Sequence, residues 1–178
     1  MIIAIAGPIG VGKSTVARAL ADRLRYRYIS GGEVFRDLAR ERGISVVDVN
    51  KLAESDPALD RELDRRQHEL AKAGDCVVES RLAGWMVDAD LKVWLRAPVD
   101  VRAARVARRE GQPVAGARAD LVERERSEWA RYKAAYQIDI DDLTPYHIVI
   151  DTTLWSADAI VDALATLVRT ALLGMRTP

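Results

Sequence analysis

The sequence predicts an α/β fold in which helices cover both faces of a parallel β-sheet. Short apolar segments alternate with longer segments of helical spacing, and no internal repeat or low-complexity tract interrupts them. Runs such as IIAIA lack the polar alternation of a one-sided sheet, which is typical of strands buried on both faces. With 178 residues, of which 49% are hydrophobic, the chain is expected to fold as a single domain over residues 1–178.

Strands are predicted where short apolar runs occur. These runs lie at residues 2–6, 76–80, 91–97 and 147–151, and a further strand is expected just before residue 30. The strand at 2–6 comes first, so the domain begins with a buried central element.

Helices are predicted between the strands, and several carry signals at their ends. Ser30 and Glu33 form a capping box before one helix, and Gly43 ends it. Pro57 stands at the first position of another helix, which is expected to run to Gly74. Further helices are expected at 14–25, at about 98–111, at about 120–136 and from 156 onward, with 112–118 as a loop.

A glycine-rich loop follows the first strand. It fits the pattern G-x-x-x-x-G-K-S through Gly7, Gly12, Lys13 and Ser14, and a helix follows it. Backbone N–H groups of such a loop turn inward around an anion, the lysine reaches the terminal phosphates, and the serine hydroxyl ligates Mg²⁺. The sequence therefore predicts a P-loop for a nucleoside triphosphate, the alternative being a chance glycine turn.

The strand at 76–80 carries the second polar signal. A switch GTPase would need D-x-x-G and N-K-x-D segments, and the sequence has neither. Instead, Glu79 stands where a Walker B carboxylate would hold Mg²⁺-bound water, and Arg81 would point into the same crevice. The alternative is a surface ion pair between these two residues.

Two predicted helices each carry a row of charged side chains on one face. The rows are Arg102, Arg105 and Arg109 on the first helix, and Arg124, Glu128 and Arg131 on the second. A transferring phosphoryl group carries charge on its oxygens, so cationic rows beside a mobile loop suit a lid over a triphosphate. The alternative is that both rows are solvated faces paired with neighbouring glutamates.

The charge balance and cysteine content exclude several classes of protein. Lys+Arg and Asp+Glu number 27 each, so no net field favours nucleic acid or a membrane surface, and we expect neither as a partner. The single Cys76 cannot form an internal disulfide, and the first residues lack the features of a signal peptide. We therefore expect a cytoplasmic protein, and a monomer.

Several segments together resemble the archaeal-type cytidylate kinases of the nucleoside monophosphate kinase group. They are ISGGEVFRDLARERG, DPALDRELDRRQ, ESRLAGWM, LRAP, ARREG, RERSEWARYKAAYQIDIDDL and IDTTLW. The likeness covers nearly the whole chain and departs at Ser80, where the family usually has glycine. It implies a three-layer P-loop NTPase fold with a small monophosphate-binding helical insert at 30–74 and a lid at about 109–124.

The resemblance also implies an activity and roles for individual arginines. The activity is Mg²⁺-dependent transfer of the ATP γ-phosphoryl group to CMP or dCMP. Arg36 and Arg81 resemble the arginines that hold the acceptor phosphate, and Arg105 resembles the one stacked on adenine. Residues 151–153 are similar to the loop that lines the adenine pocket.

The motifs and the resemblance together imply a full set of expected site residues. The ATP-binding residues are Gly7, Pro8, Ile9, Gly10, Val11, Gly12, Lys13, Ser14, Thr15, Arg105, Asp151 and Thr152. The acceptor-binding residues are Ser30, Arg36, Asp60, Arg81 and Glu128. The catalytic residues are Lys13, Arg109, Arg124 and Arg131, and Mg²⁺ is expected at Ser14 and, through water, at Glu79.

A row of acids on the helix from residue 57 is a further signal that bears on the acceptor. Asp56, Asp60 and Asp64 recur every four residues, and a carboxylate suits the exocyclic amino donor of cytosine. The alternative, which the sequence alone favours, is a solvated face paired with Arg61, Arg65 and Arg66. The function itself also leaves alternatives: a kinase for AMP, UMP or another small metabolite, or a nucleotide-dependent regulatory module without catalysis.

Overall fold

A computed structural model of the chain describes residues 1–45, 48–49, 52 and 56–174. The strands are β1 (Ile2–Ala6), β2 (Arg27–Ser30), β3 (Cys76–Glu79), β4 (Leu91–Arg96) and β5 (Ile148–Asp151). The helices are α1 (Lys13–Leu24), α2 (Gly31–Arg42), α3 (Pro57–Ala71), α4 (Ala83–Met86), α5 (Val99–Glu110), α6 (Val114–Tyr136) and α7 (Ala157–Gly174). All neighbouring strands are parallel, in the order β2-β3-β1-β4-β5.

The core confirms the three-layer α/β fold. Successive side chains of a strand point to opposite faces of a sheet, so β1 serves two clusters. Ile3 and Ile5 pack with α1 and α7 on one face, while Ala4 and Ala6 pack on the other face with residues of α4 and with Tyr132 of α6. Because both faces are covered, the strands are apolar throughout, and their carboxyl ends meet at one edge where loops can form a site.

The helix ends follow the capping signals. Ser30 caps α2, accepting from the backbone N–H of Glu33 at 3.4 Å, and Gly43 ends that helix with a φ of 65°. Asp56 caps α3, whose first residue is Pro57, but α3 stops at Ala71 rather than at residue 74. The strand after it ends at Glu79, one residue earlier than predicted.

The prediction of a loop at 112–118 is wrong. Only residues 111–113 lie between α5 and α6, because α6 begins at Val114. Gly111 ends α5 with a φ of 68°, and Pro113 precedes the first turn of α6. Ala117 is fully buried in the small cluster between these helices, so tertiary packing extends the helix through a segment that its composition marks as a loop.

Within the described ranges, no helix has both the length and the apolar character that crossing a membrane requires.

Candidate active site

A cavity of about 1070 Å³ opens at the carboxyl edge of the sheet. Its walls come from the glycine-rich loop, the starts of α1 and α2, one face of α3, the turn after β3, parts of α5 and α6, and the loop after β5. This volume reaches the upper end of the range of about 300–1,000 Å³ seen for small-molecule sites. The cavity therefore has room for more than one small ligand.

The glycine-rich loop has the backbone conformation that its glycines permit. Gly7, Gly10 and Gly12 all have positive φ, at 147°, 76° and 102°. A Cβ atom at Gly7 would lie 2.3 Å from the Leu95 carbonyl oxygen, so that position has no room for a side chain. Gly12 caps α1 without a side-chain hydrogen bond, which leaves the first N–H groups of the helix directed at the cavity.

Lys13 is held over this loop. Its Nζ donates to the carbonyl oxygens of Gly7 at 2.8 Å and Pro8 at 2.9 Å. Burial, together with the positive charge of Arg81, lowers the pKa of Lys13 to about 8. The loop thus positions a cation whose charged form would gain stability from a bound anion.

Glu79 lies at the centre of a hydroxyl cluster. Its Oε1 accepts from Ser14 Oγ at 3.1 Å, Tyr28 Oη at 3.1 Å and Ser30 Oγ at 2.8 Å. Glu79 is only 5% exposed, and Arg81 pairs with Glu128 rather than with Glu79. The alternative of a surface ion pair between Glu79 and Arg81 is therefore wrong. Ser30 itself is absent from the cavity lining and is occupied by capping α2 and by Glu79.

Two ion pairs connect α6 to the rest of the site. Arg81 donates from Nε to Glu128 Oε2 at 2.7 Å, and Arg131 Nε lies 2.9 Å from Asp60 Oδ2. All four side chains are at most 16% exposed and line the cavity. Helix α6 is therefore joined to the turn after β3 and to α3 by charges that face the same space.

The arginine row of α5 divides into three different environments. Arg102 is buried and donates to the carbonyl oxygens of Ile9 and Ala97, both at 3.0 Å, and to Glu125 at 2.6 Å and 3.2 Å. It does not line the cavity, and the solvated-face interpretation is wrong for it. Its contacts hold the glycine-rich loop against α5 and α6.

The other two arginines of the row do line the cavity. Arg105 donates to Val11 O at 3.2 Å, to Thr152 Oγ1 at 2.8 Å and to Thr152 O at 2.8 Å. Arg109 is exposed and pairs with its neighbour Glu110 at 2.6 Å. Arg105 thus joins the glycine-rich loop to the loop after β5, whereas Arg109 remains at the mouth.

Two further predicted arginines line the cavity without a carboxylate partner in the part of the chain that the structure describes. Arg36 is on α2, where a Cβ atom at Gly32 would lie 3.5 Å from its Nη1, so its guanidinium lies near the first turn. Arg124 is on α6. Both are available to an anion.

The loop after β5 separates the two residues predicted there. Thr152 is buried and lines the cavity, bonded to Arg105 and to Val11 O. Asp151 lies outside the cavity wall; it accepts from the N–H and hydroxyl of Thr153 and pairs with Arg96 at 3.5 Å. Asp151 therefore stabilises the turn that presents Thr152.

The acidic row of α3 does not form a solvated face. Asp56 accepts from the Ala58 N–H at 2.9 Å as a cap, Asp60 pairs with Arg131, and Asp64 accepts a hydrogen bond from the Tyr136 hydroxyl. The alternative in which Asp60 and Asp64 pair with the arginines of their own helix is therefore wrong. Burial raises the pKa of Asp64 to about 6.

Some cavity residues were missed by the sequence analysis. Gln67 follows Asp64 by three positions on the same helical face and is 5% exposed, and Phe35, Leu63 and Trp155 supply apolar surface. The helical spacing from Asp60 could have identified Gln67, because positions separated by three, four and seven share a face. Trp155 carried no signal beyond its place after a strand.

The chain is similar to known proteins over most of its length. Residues 2–154 match the model of the cytidylate kinase-like family. The chain is similar to the cytidylate kinase of Halobacterium salinarum, with 51% identity over 165 residues that cover 91% of this chain and 86% of that relative. It is also similar to the cytidylate kinase of Haloarcula marismortui, with 48% identity over 164 residues, 90% of this chain and 85% of that relative.

Among solved structures, the fold is similar to a shikimate kinase from Bacteroides thetaiotaomicron. The TM-score is 0.64 at 15% identity, and the match covers 95% of this chain and 98% of the other. At this identity the likeness shows the fold alone.

Proposed function

The chain belongs to the cytidylate kinase-like family, and we propose from this that it transfers the γ-phosphoryl group of ATP to CMP or dCMP, giving ADP and CDP or dCDP. The observation that carries the proposal is that one cavity is lined both by the glycine-rich loop and by arginines of other elements. The glycine-rich loop forms one wall, and Arg36 and Arg81 line the same space from other elements. A triphosphate on the loop and a monophosphate on these arginines would then meet inside one cavity.

The donor would bind along the glycine-rich loop. The N–H groups of residues 9–15 and the start of α1 would surround its phosphates, and Lys13 would move from the loop carbonyls to the terminal phosphates. Arg105 lies between Val11 and Thr152, where it can cover the adenine base. Charge-assisted contacts of this kind hold a phosphoryl donor without a covalent intermediate.

The acceptor would bind on the opposite side. Arg36 faces the cavity without a carboxylate partner among the described residues, and Arg81, which bonds Glu128 through Nε, would donate from its Nη groups to phosphate oxygens. A guanidinium fork matches two phosphate oxygens at once, which fixes the acceptor oxygen in line with the donor. No dedicated strong base is needed, because the acceptor phosphate is itself the nucleophile.

The oxygen donors of Ser14 and Glu79 fit a magnesium ion. They lie 3.1 Å apart on the cavity wall, and both are the hard oxygen ligands that Mg²⁺ prefers. Among the residues that the structure describes, no group of three or more His, Cys, Asp or Glu side chains could cage a metal, which suits an ion shared with substrate phosphates. When bound, Mg²⁺ would neutralise phosphate charge.

We assign the lid to the end of α5, the junction at 111–113 and the first turns of α6. Arg109 and Arg124 line the cavity from these two helices, and Arg131 lines it further along α6. Closure would bring their charges to the transferring group and exclude water, which would otherwise accept the phosphoryl group. The helical insert at 30–74 would hold the acceptor.

The reaction would be carried out by a cytoplasmic monomer. ATP and CMP are cytoplasmic metabolites, and every side chain assigned here comes from one copy of the chain. Neither nucleic acid nor a membrane takes part in this scheme.

An acceptor panel tests the proposal. The purified chain is incubated with ATP, Mg²⁺ and each of CMP, dCMP, UMP, AMP and shikimate, and the diphosphate or phosphorylated product is quantified. We expect CMP and dCMP to be converted fastest. A preference for AMP or shikimate would reassign the acceptor, and nucleotide binding without any product would make the chain a regulatory module.

A further inference from the structure

One face of α3 forms a distinct part of the cavity wall. Its residues are Asp60, Leu63, Asp64 and Gln67, and the spacings of three, four and seven place them on one side of the helix. Phe35 of α2 lines the cavity as well. This wall combines apolar surface with a few polar groups, which is the usual composition of a site for a flat organic ring.

Gln67 is a mostly buried polar residue on this face, and its side chain lacks a hydrogen-bond partner among the described residues. It is 5% exposed, yet its carboxamide makes no hydrogen bond to any residue in the described part of the chain. The amide lies at the start of α2, since a Cβ atom at Gly31 would be 3.1 Å from Oε1 and 3.2 Å from Nε2. The amide atoms open to the cavity rather than being sealed in the interior, so they are available to bond a ligand there.

Asp64 also has a carboxylate oxygen that lacks a hydrogen-bond donor among the described residues. Its Oδ2 accepts from the Tyr136 hydroxyl, while its Oδ1 has no donor among the described residues. Asp60, by contrast, is neutralised by Arg131 at 2.9 Å. The carboxylate of Asp64 therefore retains one acceptor oxygen on the wall that also carries the unbonded amide.

We propose that Asp64 and Gln67 recognise the base of the acceptor nucleotide and select one with an exocyclic amino group next to ring acceptors. The inference rests on the proposed function and names the residues that choose its substrate. The amino group at C4 of cytosine donates to Asp64, and the carboxamide of Gln67 donates to N3 or O2 of the ring. Phe35 and Leu63 contact the ring faces.

The same carboxylate discriminates against uracil. Uracil carries an acceptor oxygen where cytosine carries the amino donor, so it would place two acceptors against each other. A site that hydrogen-bonds one group rejects the analogue lacking it, because its buried polar atoms are left unpaired. A protonated Asp64 reverses this, since its O–H can donate to the uracil oxygen.

The charges around Asp64 set the pH at which this reversal occurs. Burial and the negative charge of Asp60 raise the pKa of Asp64 to about 6, against the opposing effects of Tyr136 and Arg131. Further groups on the packed elements are Glu128 of α6, Arg36 of α2, Arg81 after β3, and the bonded pair Tyr28 of β2 and Glu79 of β3. Use of UMP relative to CMP should therefore rise as the pH falls through about 6.

The decisive variant is Asp64→Asn, compared with wild type for kcat/KM on CMP and UMP across about pH 5 to 8. Asparagine carries both an acceptor and a donor, so it can bond either base. We expect the CMP-to-UMP ratio to fall by at least about tenfold and to lose its dependence on pH. Gln67→Leu should raise KM for CMP about tenfold while KM for ATP stays unchanged.

Two control variants separate recognition from structure. Tyr136→Phe removes the hydroxyl that bonds Asp64 but keeps the carboxylate, so the preference for CMP should persist at about pH 8. The reversal should occur at a higher pH than in wild type, because the Tyr136 hydroxyl opposes the rise in the pKa of Asp64. Glu69→Gln makes the same acid-to-amide change on an exposed part of α3, where Glu69 contacts Lys72, and should leave the ratio unchanged.

The outcomes distinguish this inference from the proposed function. Wild type that does not phosphorylate CMP overturns the function itself. Active wild type whose ratio and pH dependence survive in Asp64→Asn overturns the assignment of Asp64. An equal fall of the CMP-to-UMP ratio in Asp64→Asn and Tyr136→Phe would show that Asp64 serves the contact with α6 rather than the base. That result would also overturn the assignment of Asp64.

Discussion

Arg81 and Glu128 form an ion pair of 2.7 Å between the turn after β3 and helix α6, with both side chains mostly buried. The guanidinium assigned to the acceptor phosphate is thus already bonded through its Nε to a carboxylate of α6. Its Nη groups remain for the acceptor phosphate, so one guanidinium would contact both the acceptor and α6, which would couple occupation of the site to the position of α6.

The first prediction concerns the two acceptor arginines. Arg36→Ala and Arg81→Ala should each raise KM for CMP by about ten- to a hundredfold, since a charge-assisted contact is lost, with little change in KM for ATP. Lysine at either position should restore only part of the affinity, because a point charge cannot form the bidentate contact. Steady-state kinetics with each substrate varied in turn provides the measurement.

Arg36→Ala is the cleaner of the two variants. Its guanidinium has no carboxylate partner among the described residues, whereas removing Arg81 also leaves Glu128 unpaired. Arg65→Ala, on an exposed position of α3, serves as the matched control. If ATP rather than CMP were affected, both arginines would belong to the donor side.

The second prediction is that Lys13→Ala abolishes nearly all transfer while the fold remains. A single preorganised charge at the reacting group commonly contributes about 3–4 kcal/mol of barrier lowering, or a loss of about a hundred- to a thousandfold. Turnover assays with circular dichroism of the same sample separate catalysis from folding. Near-normal turnover in a folded variant would contradict the donor assignment.

The third prediction follows from the lowered pKa of Lys13. With a pKa of about 8, the unliganded lysine loses its proton as the pH rises through 8, whereas bound phosphates favour the charged form. ATP binding at pH 8 should therefore take up protons, and ATP affinity should fall above that pH. Calorimetric titrations in two buffers of different ionisation enthalpy measure the uptake.

Lys13→Arg provides the control for this experiment, because arginine stays charged at every accessible pH. It should bind ATP without the proton uptake near pH 8. Equal uptake in both proteins would assign the proton to another group.

The fourth prediction is that the junction between α5 and α6 moves on binding. The native Cys76 is buried, so a dye on Gln112→Cys reports on the junction alone. Its fluorescence should change with a bisubstrate analogue, since closure excludes water from the reacting group. A dye on the exposed Arg169→Cys of α7 should not respond, and an unresponsive junction would contradict the lid.

The fifth prediction separates Arg102 from its neighbours in sequence. Because it bonds Ile9, Ala97 and Glu125 from a buried position, Arg102→Ala should lower the free energy of unfolding by about 3 kcal/mol. Arg126→Ala, at an exposed position of α6, should change it by no more than about 0.5 kcal/mol. Denaturant titration of both variants tests this. An equal free energy of unfolding in the two variants would contradict the structural role of Arg102.

The sequence predicted the parts of the molecule that depend on local spacing. The glycine-rich loop, the Ser30 cap and the strands at the centre of the sheet each rest on residues close together in the chain. Gly7 illustrates why: its φ of 147° and the nearby Leu95 carbonyl demand glycine, and that requirement is visible in the motif itself.

Contacts between segments that are distant in the chain could not be predicted from the sequence. Asp64 and Tyr136 are 72 residues apart, and nothing local indicates that α6 rather than the arginines of α3 meets the acids. The row on α5 likewise suggests one function, while packing buries Arg102 and leaves Arg109 at the mouth. The early start of α6 has the same origin, since Ala117 is buried against α5.

The most direct test of the account follows a labelled γ-phosphoryl group from ATP in the presence of Mg²⁺ and CMP, with Lys13→Ala beside wild type. The account predicts that the label appears in CDP, with one CDP formed for each ADP and almost no free phosphate, and that the variant forms at least about a hundredfold less of both products. Label released as inorganic phosphate, or CMP left unchanged while ATP is consumed, would contradict it.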